Sequence, residues 1–528
     1  MMALMAPADK GGGRSRGQTW LDPHFWAQWT NPVGWWRFKL SQQDAPNEEP
    51  AFMTTQADEY DLVILGCGEG GKFLAWTMAK QGKRVVVVER KYIGGSCPNI
   101  ACLPSKNIIH SAKVASYFWR SPEFGITKDN CQIHMQGVRE RKRKMVQGLV
   151  DVHLANFKDS GAELLIGSGR FIGPKTVQVE LSGGGTRVIR GKSVVIGTGS
   201  RARLDPIPGL REAAPMTHVE ALELEVVPRH LLIIGGGYVG LELGQAMRRF
   251  GSQVTIIERN SRLLHREDAD VTNMLQDQFK SEGIEIVTNA VIRRVEGASG
   301  KSVKLHAVRN ESEFVLEGTH LLVATGRTPN TDGLDLEKAG VQTTEQGYVK
   351  VNERLATTAP DVWAVGDCAG SPHFTHISFD DFRIVRDNLS GGNRVTTGRQ
   401  VPFCMFTDPE FARIGLSETE ATRSGIDFRL AKIPMAAVLR TRTLSETAGF
   451  MKALIDAQSD VILGFTVVGT GAGEIVGAVQ IAMLAGLPYT ALRDAILIHP
   501  TLLEGLIPLF TAVPPKTGAV VKALAAAA

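Results

Sequence analysis

Tyr60-Asp61-Leu62-Val63-Ile64-Leu65-Gly66-Cys67-Gly68-Glu69-Gly70-Gly71 opens the regularly patterned part of this 528-residue chain. A short apolar run stops at a glycine, and two more glycines follow at the spacing Gly66-x-Gly68-x-x-Gly71. An apolar helical segment comes next, and Val85-Val86-Val87-Val88-Glu89 closes the unit. The pattern predicts strand, tight turn, helix, strand. It occurs twice. Leu231-Leu232-Ile233-Ile234 leads into Gly235-x-Gly237-x-x-Gly240, a helix with Leu243 and Met247, then Val254-Thr255-Ile256-Ile257-Glu258. In both copies the acidic residue falls 18 positions after the last glycine, so the chain contains an internal repeat of a βαβ unit with a period too long for a solenoid.

The chemistry of that unit is specific. The first glycine makes the strand-to-helix turn, the second lets the backbone approach a pyrophosphate, and the third lets helix pack on strand; the helix N-terminus attracts the negative charge. Glu89 and Glu258, at the ends of the second strands, are placed to accept hydrogen bonds from ribose hydroxyls. Two complete copies predict two bound dinucleotides. Val194-Val195-Ile196-Gly197-Thr198-Gly199 and Leu322-Val323-Ala324-Thr325-Gly326-Arg327 echo each other as strands stopping at glycine, and Val362-Trp363-Ala364-Val365-Gly366-Asp367 ends in a carboxylate suited to a sugar-like hydroxyl chain. The second unit therefore lies inserted between two parts of the first domain.

Composition sets the surroundings. A net charge of +4 names neither nucleic acid nor a membrane surface as partner. No run of about 18 apolar residues suggests a membrane span, and the start lacks a secretory pattern, so a cytoplasmic protein is expected. Six cysteines (Cys67, Cys97, Cys102, Cys131, Cys368 and Cys404) are too few for a disulfide scaffold. Residues 1–56, with Gly11-Gly12-Gly13 and five of the eight tryptophans (Trp20, Trp26, Trp29, Trp35, Trp36), read as an extension outside the fold, expected to be disordered, with Met53 as an alternative start. Arg139-Glu140-Arg141-Lys142-Arg143-Lys144 reads as a solvated helix face.

Gly94-Gly95-Ser96-Cys97-Pro98-Asn99-Ile100-Ala101-Cys102-Leu103-Pro104-Ser105-Lys106 holds two of the cysteines. On a regular helix such a pair would be about 140° apart and roughly 7.5 Å apart along the axis, too far for an unstrained disulfide. Pro98 and Pro104 permit the local departure from helix that closure needs. Zinc binding and inert buried thiols are the rival readings; no second Cys/His pair at ligand spacing accompanies these two.

With these motifs in hand, the chain resembles the pyridine nucleotide-disulfide oxidoreductases, the flavoprotein family of dihydrolipoamide dehydrogenase, glutathione reductase and mercuric reductase. The resemblance runs from about Tyr60 to the Pro515 region and includes His499-Pro500-Thr501-Leu502-Leu503-Glu504. Phe374-Thr375-His376-Ile377-Ser378-Phe379-Asp380-Asp381-Phe382 looks most like the mercuric-reductase-like branch. It implies an α/β fold of two Rossmann-like domains, the second inserted in the first, plus a C-terminal α+β dimerisation domain. The boundaries expected are 57–205 with 325–398 for FAD, 206–324 for NAD(P), and 399–528 for dimerisation of a homodimer. By the same resemblance electrons pass from the nicotinamide through FAD to a Cys97–Cys102 disulfide, Cys102 being next to the flavin and Cys97 the outer thiol. His499 is then the base serving the thiols, with Glu504 holding its imidazole, and Lys106 and Glu242 resemble the pair beside the flavin. Cofactor contacts are expected from Gly66, Gly68, Gly71, Glu89, Gly95, Ser96, Lys106, Thr198, Gly199, Gly366, Asp367, Gly235, Gly237, Gly240, Glu242, Glu258 and Gly326, with no metal ligands.

Departures from the family bear on the substrate. Its usual His-x-His-Pro reads Leu497-Ile498-His499-Pro500, the stretch between its cysteines reads Pro98-Asn99-Ile100-Ala101, and the end Lys522-Ala523-Leu524 with its alanines lacks paired cysteines. A metal-binding Cys-x-x-Cys segment is missing near the start. These departures argue against mercury delivery. The expected role is reduction of a small oxidant or disulfide; the rivals are a dihydrolipoamide dehydrogenase of a 2-oxo acid dehydrogenase complex and a non-catalytic flavin redox sensor. Glu258 repels a 2′-phosphate, which predicts NADH over NADPH, while Arg259 and Arg262 could rescue NADPH.

Overall fold

In the computed structural model, described for residues 57–127 and 130–516, the first glycine motif joins β1 (Asp58–Leu65) to α1 (Glu69–Lys80), which returns to β2 (Val85–Glu89). The 1–56 extension and Met53 lie outside the described residues. A helical turn, α2 (Ser96–Asn99), a longer helix, α3 (Cys102–Trp119), and α4 (Met135–Ser160) follow. The strands β3 (Glu163–Gly173), β4 (Thr176–Leu181) and β5 (Thr186–Ile196) come next. β1 pairs in parallel with β2 on one side and β5 on the other, as crossover connections through helices require. β3 and β5 are each long enough to serve two ladders, one parallel to the core strands and one antiparallel to β4. The apolar stretches 62–65 of β1 and 85–88 of β2 are buried on both faces, as parallel strands between helical layers are.

β6 (Ser200–Ala202) leads out of this sheet. The second motif joins β7 (His230–Ile234) to the helix α5 (Tyr238–Arg249) and β8 (Gln253–Ile257). After α6 (Ala269–Ser281) and β9 (Glu285–Val287) come three antiparallel strands, β10 (Val291–Ala298), β11 (Ser302–Arg309) and β12 (Ser312–Gly318). β13 (His320–Val323) completes a parallel sheet in the order β13-β7-β8-β9. The chain then returns as β14 (Arg327–Pro329), antiparallel to β6, with Arg327 opposite Ala202. Exit and re-entry are thus hydrogen-bonded neighbours. β15 (Val362–Ala364) adds to β5 in the first sheet, and α7 (Thr375–Leu389) follows. A five-stranded antiparallel sheet drawn from residues 403–469, with a helix at Ala472–Leu484, forms the C-terminal part. Among the described residues no helix is long and apolar enough to cross a membrane.

The basic run on α4 is the solvated face that its charge suggests at Glu140, Arg141, Arg143 and Lys144, all exposed, but not at Lys142. Lys142 is buried and ion-paired with Glu223, Arg143 also reaches Glu223, and Arg139 reaches Glu225. Charge on a helix reads as solvent-facing until a distant acidic segment folds over it, and the segment around 223–225 does so here.

Candidate active site

Both glycine turns show the same division of labour. Gly66 has φ +102°, and a Cβ placed on it would lie 2.3 Å from the Gly197 carbonyl oxygen. Only glycine can bring these two strand ends so close. A Cβ on Gly71 would meet the Gly66 oxygen at 2.3 Å, which is the close helix-to-strand packing, whereas Gly68 faces space open to 3.7 Å. In the second turn a Cβ on Gly235 would meet the Ala324 oxygen at 2.5 Å and one on Gly240 the Gly235 oxygen at 2.3 Å, while Gly237 has nothing within 4 Å. The open middle glycine, at the N-terminus of a helix, is the shape that a pyrophosphate requires.

The strand-end acids are more occupied than sequence suggests. Glu89 accepts from Cys67 N at 2.8 Å, Lys91 N at 2.8 Å and Tyr92 N at 2.9 Å. Glu258 accepts from Gly236 N at 2.8 Å and from both Asn260 nitrogens, at 2.8 and 2.5 Å. Each carboxylate therefore ties the strand end to its glycine turn and keeps lone-pair capacity for a ribose. The second turn opens on a cleft of about 640 Å³ lined by Glu258, Tyr238, Thr325, Gly326 and Arg327. Arg259, His265 and Arg266 also line it; Arg262 does not. Thr325 Oγ1 is buried without a hydrogen-bond partner beside this turn.

Asp367 is partly engaged: Ser200 Oγ donates to Oδ2, and Arg327 Nε lies 3.5 Å from it. Gly366 N donates to the fully buried Asp381, at 2.7 Å. The carbonyls of Gly199 and Thr198 accept from Asn330, and that of Gly326 from Arg203, so the echoing strand ends meet at the β6–β14 ladder.

Cys97 sits in α2 and Cys102 is the first residue of α3, both as thiols. Helix is broken between them at Ile100 and Ala101, the latter at φ −132° and ψ −104°. Pro104 lies in the first turn of α3, where its missing N–H costs no helical bond. A Cβ on Gly95 (φ +81°) would fall 2.5 Å from Gly68 Cα, so the loop that carries Cys97 packs directly on the first glycine turn, and Ser96 starts α2 there. Cys102 Sγ lies 3.2 Å from Thr375 Oγ1 of α7. Its thiol is held well below the ordinary range by the hydrogen bond from Cys97, with Thr375 and the Lys106 charge adding to it against burial. Its place at a helix N-terminus acts in the same direction. The Cys97 thiol is pushed up by its hydrogen bond to Cys102 and by burial.

Lys106, one turn beyond Cys102 on the same face of α3, pairs at 2.7 Å with Glu242 of α5. Glu242 is buried and also accepts from Phe406 N at 2.8 Å. His499 Nδ1 meets Glu504 at 2.8 Å, on a surface where His499 is 65% exposed. Among the described residues no hydrogen bond or ion pair joins His499 or Glu504 to either thiol of the same chain. Thr375 escaped the sequence reading: its stretch was visible only as a family signature. The cluster Asp268, Asp270 and Glu418, which has metal-like spacing, surrounds the ammonium of Lys452 at 2.8, 2.9 and 2.5 Å.

The family model described as pyridine nucleotide-disulphide oxidoreductase matches residues 60–381, and that for the family's dimerisation domain matches residues 401–508. The chain belongs to this family; it is an FAD-dependent enzyme that uses NAD(P)H. It is 35% identical over 462 residues, 86% of this chain and 100% of the other, to the probable pyridine nucleotide-disulfide oxidoreductase RclA of Escherichia coli. It is 33% identical to the mercuric reductase of Staphylococcus aureus (88% of this chain, 84% of that one) and 35% to the dihydrolipoyl dehydrogenase of Thermus scotoductus (85% and 96%). A solved structure described as a Cu(II) complex of the HOCl-induced flavoprotein disulfide reductase RclA from Escherichia coli superposes with a TM-score of 0.79 at 35% identity, covering 87% of this chain and all of that one.

Proposed function

We propose that this chain is a homodimeric flavoprotein disulfide reductase that draws electrons from NADH in preference to NADPH and passes them through Cys97 and Cys102 to a small oxidant. In this reading 57–205 with 325–398 hold FAD, 206–324 hold the nicotinamide nucleotide, and 399–528 form the dimer. The observation that carries it is the Lys106–Glu242 ion pair. It joins the helix that begins at Cys102 to the helix that begins at the second glycine turn, so the nucleotide cleft and the dithiol share one rigid connection.

Bound FAD and nicotinamide supply the hydride chemistry. The chain's own groups manage thiols and protons. Reduction of the disulfide takes up two electrons and one proton, leaving Cys97 as the thiol and Cys102 as the thiolate; return to the disulfide gives the two electrons to the acceptor and the proton to the base. Cys102 keeps negative charge near Lys106, and Cys97 is the sulfur that meets the acceptor. With its Nδ1 hydrogen donated to Glu504, His499 presents Nε2 as the base for the Cys97 proton. A mercuric reductase and a Cu(II) complex among the relatives put metal ions on the acceptor panel beside low-molecular disulfides, quinones and oxidised thiocyanate.

The test is anaerobic reduction of the purified protein with NADH, followed by steady-state NADH oxidation across that panel. One FAD per chain, two thiols gained on reduction, and turnover lost in Cys97→Ser and Cys102→Ser are expected. Turnover unaffected by either substitution, or rapid reduction of NAD by dihydrolipoamide with no activity on the panel, would overturn the proposal.

A further inference from the structure

The cleft at the second glycine turn is lined by two polar side chains that the chain itself leaves without partners. His218 is only 9% exposed, and neither of its ring nitrogens has a hydrogen-bond partner among the described residues, Nε2 being shut off from solvent as well. Thr325 lines the same cleft, and its Oγ1 is likewise buried and unpartnered. Buried polar groups are nearly always hydrogen-bonded, so two orphans on the wall of one cleft point to a ligand that completes them.

The sheet determines which part of a ligand they meet. Met216 bridges in parallel to Leu322 at the free edge of β13, its N–H on the Leu321 carbonyl at 2.8 Å and its carbonyl on Val323 N at 2.9 Å. Along the C-terminal edge of this sheet the chain ends therefore run in the order Glu258 after β8, Gly235 after β7, Thr325 after β13, and His218 after Met216. Thr217 fixes the last of these by capping the single helical turn His218–Ala221, its N–H donating to Glu220 at 2.8 Å. Neighbouring strands lie about 4.8 Å apart, which puts His218 roughly 14 Å along the edge from Glu258, beyond the ribose that Glu258 serves. Between them lies the open Gly237. The far end adjoins the first domain: Arg327, also lining the cleft, donates to Ser200 Oγ at 2.6 Å, and that hydroxyl donates to Asp367. A dinucleotide laid from Glu258 across the glycine turn thus brings its second ribose to His218 and Thr325.

We infer that His218 and Thr325 bind the diol of the nicotinamide-side ribose, a contact that neither the glycine turn nor Glu258 supplies. This rests on the reading of 206–324 as the nicotinamide-nucleotide domain. Burial, and then the charge of Arg327, lowers the His218 imidazole to about 4 against the opposing pull of Glu220, so it is neutral near pH 7. A neutral imidazole brings no charge to a pyrophosphate, but it pairs with a hydroxyl in either tautomer, because a hydroxyl both donates and accepts. The Thr325 hydroxyl offers the same to the other half of the diol.

The experiment titrates the full chain, with oxidised FAD bound, by calorimetry at pH 7 with NAD, ADP-ribose and ADP. The first two carry the second ribose; ADP does not. His218→Phe should weaken NAD and ADP-ribose by about three- to tenfold, the range for one lost neutral hydrogen bond, and leave ADP unchanged. Thr325→Val should give the same pattern, and His218→Gln, whose amide still donates and accepts, should restore wild-type affinity. An ADP loss equal to that of ADP-ribose would mean that the imidazole only packs the cleft wall, and a loss for NAD with ADP-ribose unchanged would put the contact on the carboxamide. Either result overturns the inference, as does no change with any of the three. If His218→Phe does not load FAD, Thr325→Val decides by the same comparison. Wild-type protein that binds none of the three, or Glu258→Gln that weakens none of them, would instead overturn the nucleotide-domain reading.

Discussion

The carboxylate of Glu258 accepts hydrogen bonds from Gly236 and Asn260 and cannot swing away from the edge of its cleft. A free ribose hydroxyl gains a charged acceptor there, and a 2′-phosphate meets a fixed anion. NADH should therefore give the higher kcat/KM, although Arg259, His265 and Arg266 line the same cleft. Glu258→Gln should lower kcat/KM for NADH by about tenfold or more, the range for a lost charge-assisted hydrogen bond, and narrow the gap to NADPH. Steady-state comparison of both nucleotides checks this; an unchanged ratio would remove Glu258 from nucleotide choice. At Cys102 the lowered thiol makes a pH prediction. The thiolate is the form favoured above the lowered value, so the long-wavelength absorbance of the reduced protein should persist at pH 7 and fade on acidification, well below the ordinary thiol range. Cys97→Ser should retain that absorbance and Cys102→Ser should lose it. The reverse pattern would exchange the two roles.

Asp268, just ahead of α6, reaches across to a short helix, Glu418–Arg423, and caps it through Glu418 N, Thr419 N and Thr419 Oγ1 at 3.0, 2.9 and 2.6 Å. It also pairs with Lys452, which is fully buried. The Asp268 carboxyl is lowered to about 2 by Lys452 and Thr419 against burial. A depressed carboxyl contributes stability above its unfolded value near pH 4 that disappears as pH falls through about 2. Asp268→Asn should therefore cost about 1–3 kcal/mol in urea unfolding at pH 7, with the difference from wild type narrowing between about pH 4 and 2. A difference independent of pH would show that the charge is not what matters. This clamp was invisible in the sequence, as were Thr375 beside Cys102 and His218 in the nucleotide cleft, because each joins segments that only the fold brings together. The glycine turns, the strand-end acids and the Cys97–Cys102 spacing were legible because their pattern is short and repeats: a turn, a close approach and a helix start each demand particular residues, and the acid follows 18 positions after the last glycine in both copies. Lys142 misled for the converse reason. Its charge was visible, and the Glu223 that buries it was not.

Ile496 and Ile498, in the irregular segment leading to His499, are 102% and 78% exposed, a setting that suits an isologous contact burying them and presenting His499 to a second chain. Mixing Cys97→Ser with His499→Ala, each nearly inactive alone, tests this. After dissociation and random reassembly about half of the dimers are mixed, and each mixed dimer holds one site with both groups intact, so about a quarter of all sites should recover. No recovery, with mixed dimers verified by native mass spectrometry, would place His499 with the thiols of its own chain or remove it from the reaction. The β6–β14 ladder carries a different implication. Because Ala202 and Arg327 are paired across it, the 124 or so residues between them leave and return through one doorway, and cutting them out would leave ends already side by side. The nucleotide-binding insert thus hangs from the host sheet by a single hinge-side seam, while Lys106–Glu242, Lys142–Glu223 and Lys452–Asp268 act as latches along its body.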